Sequence, residues 1–312
     1  ALPPDFDELG QDRHTTLTEF LDYCNTTGIK PTIVIPTRVA LNSDREVDPE
    51  YVEAVKTFVR DLMHRTSENG EFPFADVYAF EIGNEYWGSG RMSSTEYGKV
   101  ANALSSAIQD VITEFRIPID DEPKILVQMG NPVAGKLDFQ PGGILHDVRL
   151  GSENAERLGL GPESFDRNGE LRWVEKVRLS NKAIIDQLSP EARAAIDGLV
   201  EHYYYGNQHN DLPERFDDSI DVRSIDQKLQ IWRNEGFENQ GLHLTEWNIQ
   251  GANYANMGLV GAGAKIAQFS YMIQMGTESA FTWPVQHNTA NDLAGHFDAE
   301  PELTAIGGAM SL

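Results

Sequence analysis

Two glutamates occupy similar surroundings in this chain. The run Asp76-Val-Tyr-Ala-Phe-Glu-Ile is apolar and β-prone, Gly83 breaks it, and Asn84-Glu85 follow at once. Far downstream, Gly241-Leu-His-Leu-Thr-Glu246-Trp-Asn puts a second carboxylate at the end of another β-prone run. One carboxyl group that donates a proton and another that attacks carbon are the pair needed for acid/base cleavage of a glycosidic bond. Each has a plainer reading. Glu85 could be a solvated cap on the next helix, and Glu246 a buried carboxylate satisfied by backbone donors. Burying such a group to no purpose is costly, and the two motifs together favour chemistry.

The elements that must position them alternate along the chain. Helical spacing runs over 15–28, 49–65, 94–115, 173–188, 222–235, 260–275 and 303–312. Ser-Ser-Thr-Glu opens the third of these with a capping signal. Strands are expected at 31–36, 76–83, 124–129, 196–205, 242–246 and 279–284. The first, Pro31-Thr-Ile-Val-Ile-Pro36, reads as a strand buried on both faces. Strands alternating with helices imply a parallel sheet with right-handed crossovers. The fold class is α/β, of the (β/α)8 TIM-barrel type. A closed barrel needs eight strands, and six are legible, because the first thirty residues hold one helix and no strand. No linker divides the chain, which reads as a single domain over 1–312, N-terminally incomplete. The Gly-rich stretch 131–171 reads as a long connection on the face where barrel enzymes build their clefts.

Composition narrows the function classes. Lys and Arg number 25 against 49 Asp and Glu, for a formal net charge of −24. That excess disfavours nucleic acid and anionic membranes as partners. No stretch approaches 18 consecutive apolar residues, so no transmembrane helix is expected. The chain lacks G-x-G-x-x-G, a P-loop, H-E-x-x-H and G-x-S-x-G, and its eight histidines are scattered without metal-ligand spacing. No cofactor and no metal are expected. Cys24, the one cysteine, lies on a helix and reads as a buried structural thiol.

The motif Glu81-Ile-Gly-Asn-Glu-Tyr-Trp-Gly88 resembles the acid/base segment of retaining glycoside hydrolases of the large (β/α)8 clan, especially families 51 and 39. Leu244-Thr-Glu-Trp-Asn248 is similar to their nucleophile segment, and His202-Tyr-Tyr-Tyr-Gly206 resembles a His-x-Tyr signature on the strand between. The resemblance spans roughly residues 31–312. It implies that the visible strands are three to eight, that strands one and two are missing, and that the enzyme is an O-glycosyl hydrolase working by double displacement.

The resemblance implies that Glu85 is the general acid and later the base and that Glu246 is the nucleophile, and it gives roles to other residues. Asn84 would bond the sugar 2-hydroxyl. Period-two alternation puts His202 and Tyr204 on one face of their strand and Tyr203 and Tyr205 on the other. The signature favours the first pair as the one facing the nucleophile. Trp283 would stack on a sugar ring. Trp87 and Trp247 could do likewise or could pack in the core. Asn131, Gln286, Gln128 and His287, near strand ends, are weaker hydroxyl-binding candidates, and Arg38 weaker still. The expected partner is a neutral plant or algal polysaccharide or oligosaccharide, which points to a secreted, extracellular enzyme. A second chain or an N-terminal segment would complete the barrel. The alternative is a non-catalytic carbohydrate-binding or structural barrel fragment. Arabinofuranosidase, xylosidase, endoglucanase and agarase-like activities all stay open.

Overall fold

The computed structural model describes residues 16–64, 76–88, 91–115, 118–205, 223–249, 258–284, 292–294 and 303–311. The chain divides into two compact units, Ala1–Asp197 and Gly198–Leu312.

In the first unit three parallel strands pair in order: β1 (Thr32–Ile35), β2 (Ala79–Ile82) and β3 (Lys124–Gln128). Ile35 lies beside Ile82, and Ile82 beside Val127, so β1 and β2 end level and β3 runs one residue further. The helices are α1 (Leu17–Thr27), α2 (Pro49–Met63), α3 (Ser94–Glu114), α4 (Glu153–Arg157), α5 (Trp173–Ile185) and α6 (Pro190–Ala195). α1 begins with a Thr16–Glu19 capping box and ends at Gly28 in the left-handed region, burying Leu21 and Cys24.

The longest helix, α3, starts at a Ser93–Glu96 capping box and buries Tyr97, Val100, Ala101, Leu104, Ile108 and Val111 along one stripe. It lies so close to α5 that a Cβ on Gly98 would meet the Ile184 carbonyl oxygen at 2.7 Å. Only glycine fits there.

One expectation needs correcting in this unit. The 31–36 run reads as covered on both faces, yet Val34 is 43 % exposed while Ile33 and Ile35 are buried. Its β-branched residues report strand propensity as much as burial. Residues 131–171 form the long connection between β3 and α5. They fold over a small core of Leu145, Val148, Ala155, Phe165 and Leu171 with Leu179 of α5. Their pieces, α4 and the 3-10 turns Leu137–Phe139 and Pro162–Ser164, are too short to show a helical period.

The second unit also carries three parallel strands, β4 (Gly198–Tyr205), β5 (Gly241–Ile249) and β6 (Thr277–Thr282). Its helices are α7 (Arg223–Asn234), α8 (Gly258–Gln274) and α9 (Ala305–Met310). Along β4 the sides alternate. Glu201 reaches Lys228 of α7 at 2.6 Å, both side chains being buried. Tyr203 packs with Ile249, Ala264 and Ile306, whereas His202 and Tyr204 point to β5.

β5 runs three residues past Glu246, which is therefore inside the strand and not at its tip. The register shows why the side chain is nonetheless displayed. Val200 pairs with His243 and His202 with Glu246, so two steps on β4 match three on β5. The pairing with β6 slips by one over the same stretch. β5 thus carries a bulge at Thr245–Glu246, a device that re-aims side chains beside active sites. Among the described residues, no helix is long and apolar enough to cross a membrane.

Candidate active site

In the first unit the chain leaves β2 through a strained turn. Gly83 has φ 84° and Glu85 φ 45°. A side chain at Gly83 would be strained by its φ, and its Cβ would meet Thr37 Oγ1 at 2.9 Å. Glu85 has no such licence, and a left-handed non-glycine residue costs about 1–2 kcal/mol, held only where the surroundings over-determine it. The surroundings here are dense. The Tyr86 N–H donates to Gln128 Oε1 at 3.3 Å, and its carbonyl accepts from the Met92 N–H at 2.9 Å. Its ring stacks on Tyr97 with centroids 4.3 Å apart and meets Trp87 edge-on at 5.1 Å. Tyr97 O–H donates to the Ile82 carbonyl at 2.7 Å and accepts the Gln128 N–H at 2.9 Å, tying the ends of β2 and β3.

Tyr86 and Tyr97 are fully buried, and burial pushes both phenols well above the ordinary tyrosine value. Above this base, Glu85 is half-buried and Asn84 exposed. The motif thus splits into a polar pair at the surface and an aromatic pair beneath. Trp87, 8 % exposed, belongs to the base.

In the second unit the structure gathers His202, Tyr204 and Glu246. The Tyr204 hydroxyl donates to Glu246 Oε1. His202 Nδ1 lies 3.5 Å from Glu246 Oε2, and its Nε2 lies 3.2 Å from Thr245 Oγ1. The arrangement suits a Thr245 hydroxyl that donates to Nε2, leaving the imidazole proton on Nδ1 toward the carboxylate. Glu246 Oε1 is thus held by the Tyr204 hydroxyl, and Oε2 lies near the His202 ring without a hydrogen bond to it. Thr245 was not foreseen from the sequence. Its signal is two adjacent polar residues, Thr245 and Glu246, interrupting an apolar strand.

The other candidates divide. Trp283 follows β6 and is 47 % exposed, its N–H donating to the Trp247 carbonyl at 3.2 Å and its own carbonyl accepting from Asn248 Nδ2 at 2.9 Å. Trp247 is 1 % exposed, stacked on Phe269 with Lys265 Nζ 4.1 Å above its ring. It packs under the strand, and its indole has no open face to offer a sugar. Gln128 is equally buried and holds the Tyr86 backbone. Asn131 is half-buried where the chain leaves β3, Arg38 is exposed, and Gln286 and His287 lie outside the described residues.

Lys265 is a further unforeseen residue. Fully buried, it donates to Asn248 Oδ1 at 2.8 Å, and burial lowers its pKa to about 7. A single lysine inside the otherwise apolar run Gly258–Ala267 was its signal. Among the described residues, no group of His, Cys, Asp and Glu could hold a metal ion.

No family model matches the sequence, and no curated protein matches it. Solved structures do. A GH51 arabinofuranosidase from Xanthomonas axonopodis pv. citri matches 94% of this chain at 17% identity with a TM-score of 0.53. A family 51 α-L-arabinofuranosidase from Bifidobacterium longum matches 95% at 11% identity and 0.57, and another arabinofuranosidase 94% at 15% and 0.54. The chain spans about half the length of these structures, 53%, 55% and 51%. At such identities the likeness is one of fold: the chain has the (β/α)-barrel-type fold of the glycoside hydrolases.

Proposed function

We propose that this chain carries the catalytic groups of a retaining glycosidase, with Glu246 as nucleophile and Glu85 as acid/base. The observation that carries the reading is the placement of Tyr204 and His202 at the two oxygens of Glu246, which sits on a bulge that turns it toward them. A carboxylate so held is aimed for attack on an anomeric carbon. Glu246 displaces the leaving group while Glu85 protonates the departing oxygen. A glycosyl ester on Glu246 results. Glu85 then takes a proton from water, the water oxygen attacks the same carbon, and Glu246 leaves with overall retention. Asn84, exposed beside Glu85, is in place to meet a sugar hydroxyl, and Trp283, 47 % exposed, is the candidate for stacking on a sugar ring.

The substrate class is a neutral plant or algal glycan, acted on outside the cell. Three of the structural neighbours are arabinofuranosidases, so aryl α-L-arabinofuranosides are the first probes, ahead of β-D-xylosides. An eight-stranded barrel needs two strands beyond those described, which a second chain or a preceding segment would supply.

The test is turnover of 2,4-dinitrophenyl and phenyl glycosides with product configuration read by NMR. Glu246→Ala abolishes release from both. Glu85→Ala retains the dinitrophenyl glycoside and loses the phenyl one, because only the poorer leaving group needs a proton. An inverted product, or full activity in Glu246→Ala, refutes the proposal. Glycan binding without any release of reducing sugar would favour the non-catalytic alternative.

A further inference from the structure

We infer that Asp138 is a positioning residue for Glu85, acting through Ser94 and Tyr86; this rests on the acid/base role proposed for Glu85. Asp138 lies in the segment between β3 and α5, in the 3-10 turn Leu137–Phe139, and is 4 % exposed. Its Oδ1 accepts the Ser94 N–H at 2.7 Å, at the N-terminus of α3. Its Oδ2 accepts from Ser94 Oγ at 2.5 Å and Ser180 Oγ at 3.1 Å. Ser94 Oγ is also 2.7 Å from Tyr86 Oη.

The polarity of this chain follows from proton counting. A serine hydroxyl has one proton. Given to the carboxylate, it leaves Ser94 Oγ only as an acceptor, so Tyr86 must donate. The relay Tyr86 to Ser94 to Asp138 therefore has one direction, set by the carboxylate. A buried carboxylate is expensive unless well paired, and this one has three donors together with the positive end of a 21-residue helix.

The result is a fixed Tyr86. Its backbone is bound on both sides and its ring is stacked, and the hydroxyl relay fixes the remaining freedom, sliding along its own long axis. Glu85 is the preceding residue, in a backbone conformation it would not hold by itself. The turn Leu137–Phe139 and the head of α3 are thereby joined to the acid/base turn. A shift of the Leu137–Phe139 turn would be felt at Tyr86, and through its backbone at Glu85, by way of the Asp138–Ser94 and Ser94–Tyr86 hydrogen bonds.

Asp138→Asn keeps the size of the side chain but offers an amide donor in place of one acceptor oxygen, and Tyr86→Phe removes only the terminal hydroxyl. Both are measured on the phenyl and dinitrophenyl α-L-arabinofuranosides, with thermal unfolding alongside. A misplaced general acid loses the protonation contribution and little else. The expected result is a fall in kcat/KM of about 10-fold or more on the phenyl glycoside, under about 3-fold on the dinitrophenyl one, and no further loss in the double variant. Equal losses on both substrates, or none on either, overturn the inference, and Tyr86→Phe decides the matter if Asp138→Asn does not fold. Glu85→Ala is the reference. If it lacks the leaving-group signature, the acid/base reading itself has failed; if it shows the signature and the two variants do not, only this inference has.

Discussion

Lys265→Met removes a buried ammonium that the fold holds against its preference. The folded pKa is lowered from 10.5 to about 7 by burial, a difference worth roughly 5 kcal/mol between the charged and neutral forms at about 1.4 kcal/mol per unit. The sign follows from proton counting in the two states. Between pH 7 and 10.5 the unfolded chain keeps a proton that the folded chain has released. Stability therefore rises with pH across that window and is flat below it, where both states are protonated. From pH 7.5 to 9.5 wild type should gain about 2–2.5 kcal/mol relative to Lys265→Met.

The substitution also removes the cation over the Trp247 ring and one of two donors to Asn248 Oδ1, the Ile249 N–H remaining at 2.8 Å. Those losses move the absolute stability of the variant but add no slope. Urea unfolding at pH 6, 7.5, 8.5 and 9.5, followed by circular dichroism, reads the difference as a midpoint displacement of about 1 M. Parallel pH dependences in the two proteins would refute the reasoning, since every other titrating group is common to both.

Two further outcomes bear on the scaffold. Lys228→Met takes the ammonium from the buried Glu201 carboxylate and should cost about 3–5 kcal/mol, most of it regained in the Glu201→Gln, Lys228→Met double variant; thermal or urea denaturation of the three variants checks this. Gly83→Ala forces a Cβ into a left-handed residue and against Thr37, and should cost about 2–3 kcal/mol. Adding Thr37→Ala should recover the contact portion and leave the backbone portion, as read by denaturation midpoints.

The helices and strands were legible where they are long or carry a cap. Thr16–Glu19 and Ser93–Glu96 announce α1 and α3, and the β-prone runs announce each strand to within a few residues. The placement of Glu246 was less legible. A strand read as ending at a carboxylate continues instead through Trp247, Asn248 and Ile249, because a bulge needs no glycine or proline to mark it. Alternation alone left open which of His202 and Tyr203 faces β5, since both are β-prone and only packing against α8 and α9 separates them. Asp138 could not be singled out, because its partners Ser94 and Ser180 lie 44 and 42 residues away in sequence. Buried polar contacts of that range leave no local pattern. Trp247 shows the converse: its position beside Glu246 suggested sugar contact, but the next residue on a strand faces the other way.

The bulge in β5 makes that strand two reading frames spliced together. Thr245 and Glu246 are neighbours in sequence yet both meet His202, which strict alternation forbids. Positions before the splice and positions after it must be counted separately, each from its own side. Deleting Thr245 would restore a single frame with Glu246 still opposite His202, and would remove the hydroxyl that meets the His202 ring. A graft of this segment into another barrel keeps the Thr245 contact with His202 only if the extra residue moves together with the glutamate. Any comparison that matches the chain by apolar alternation will find one half of β5 in phase and the other half out.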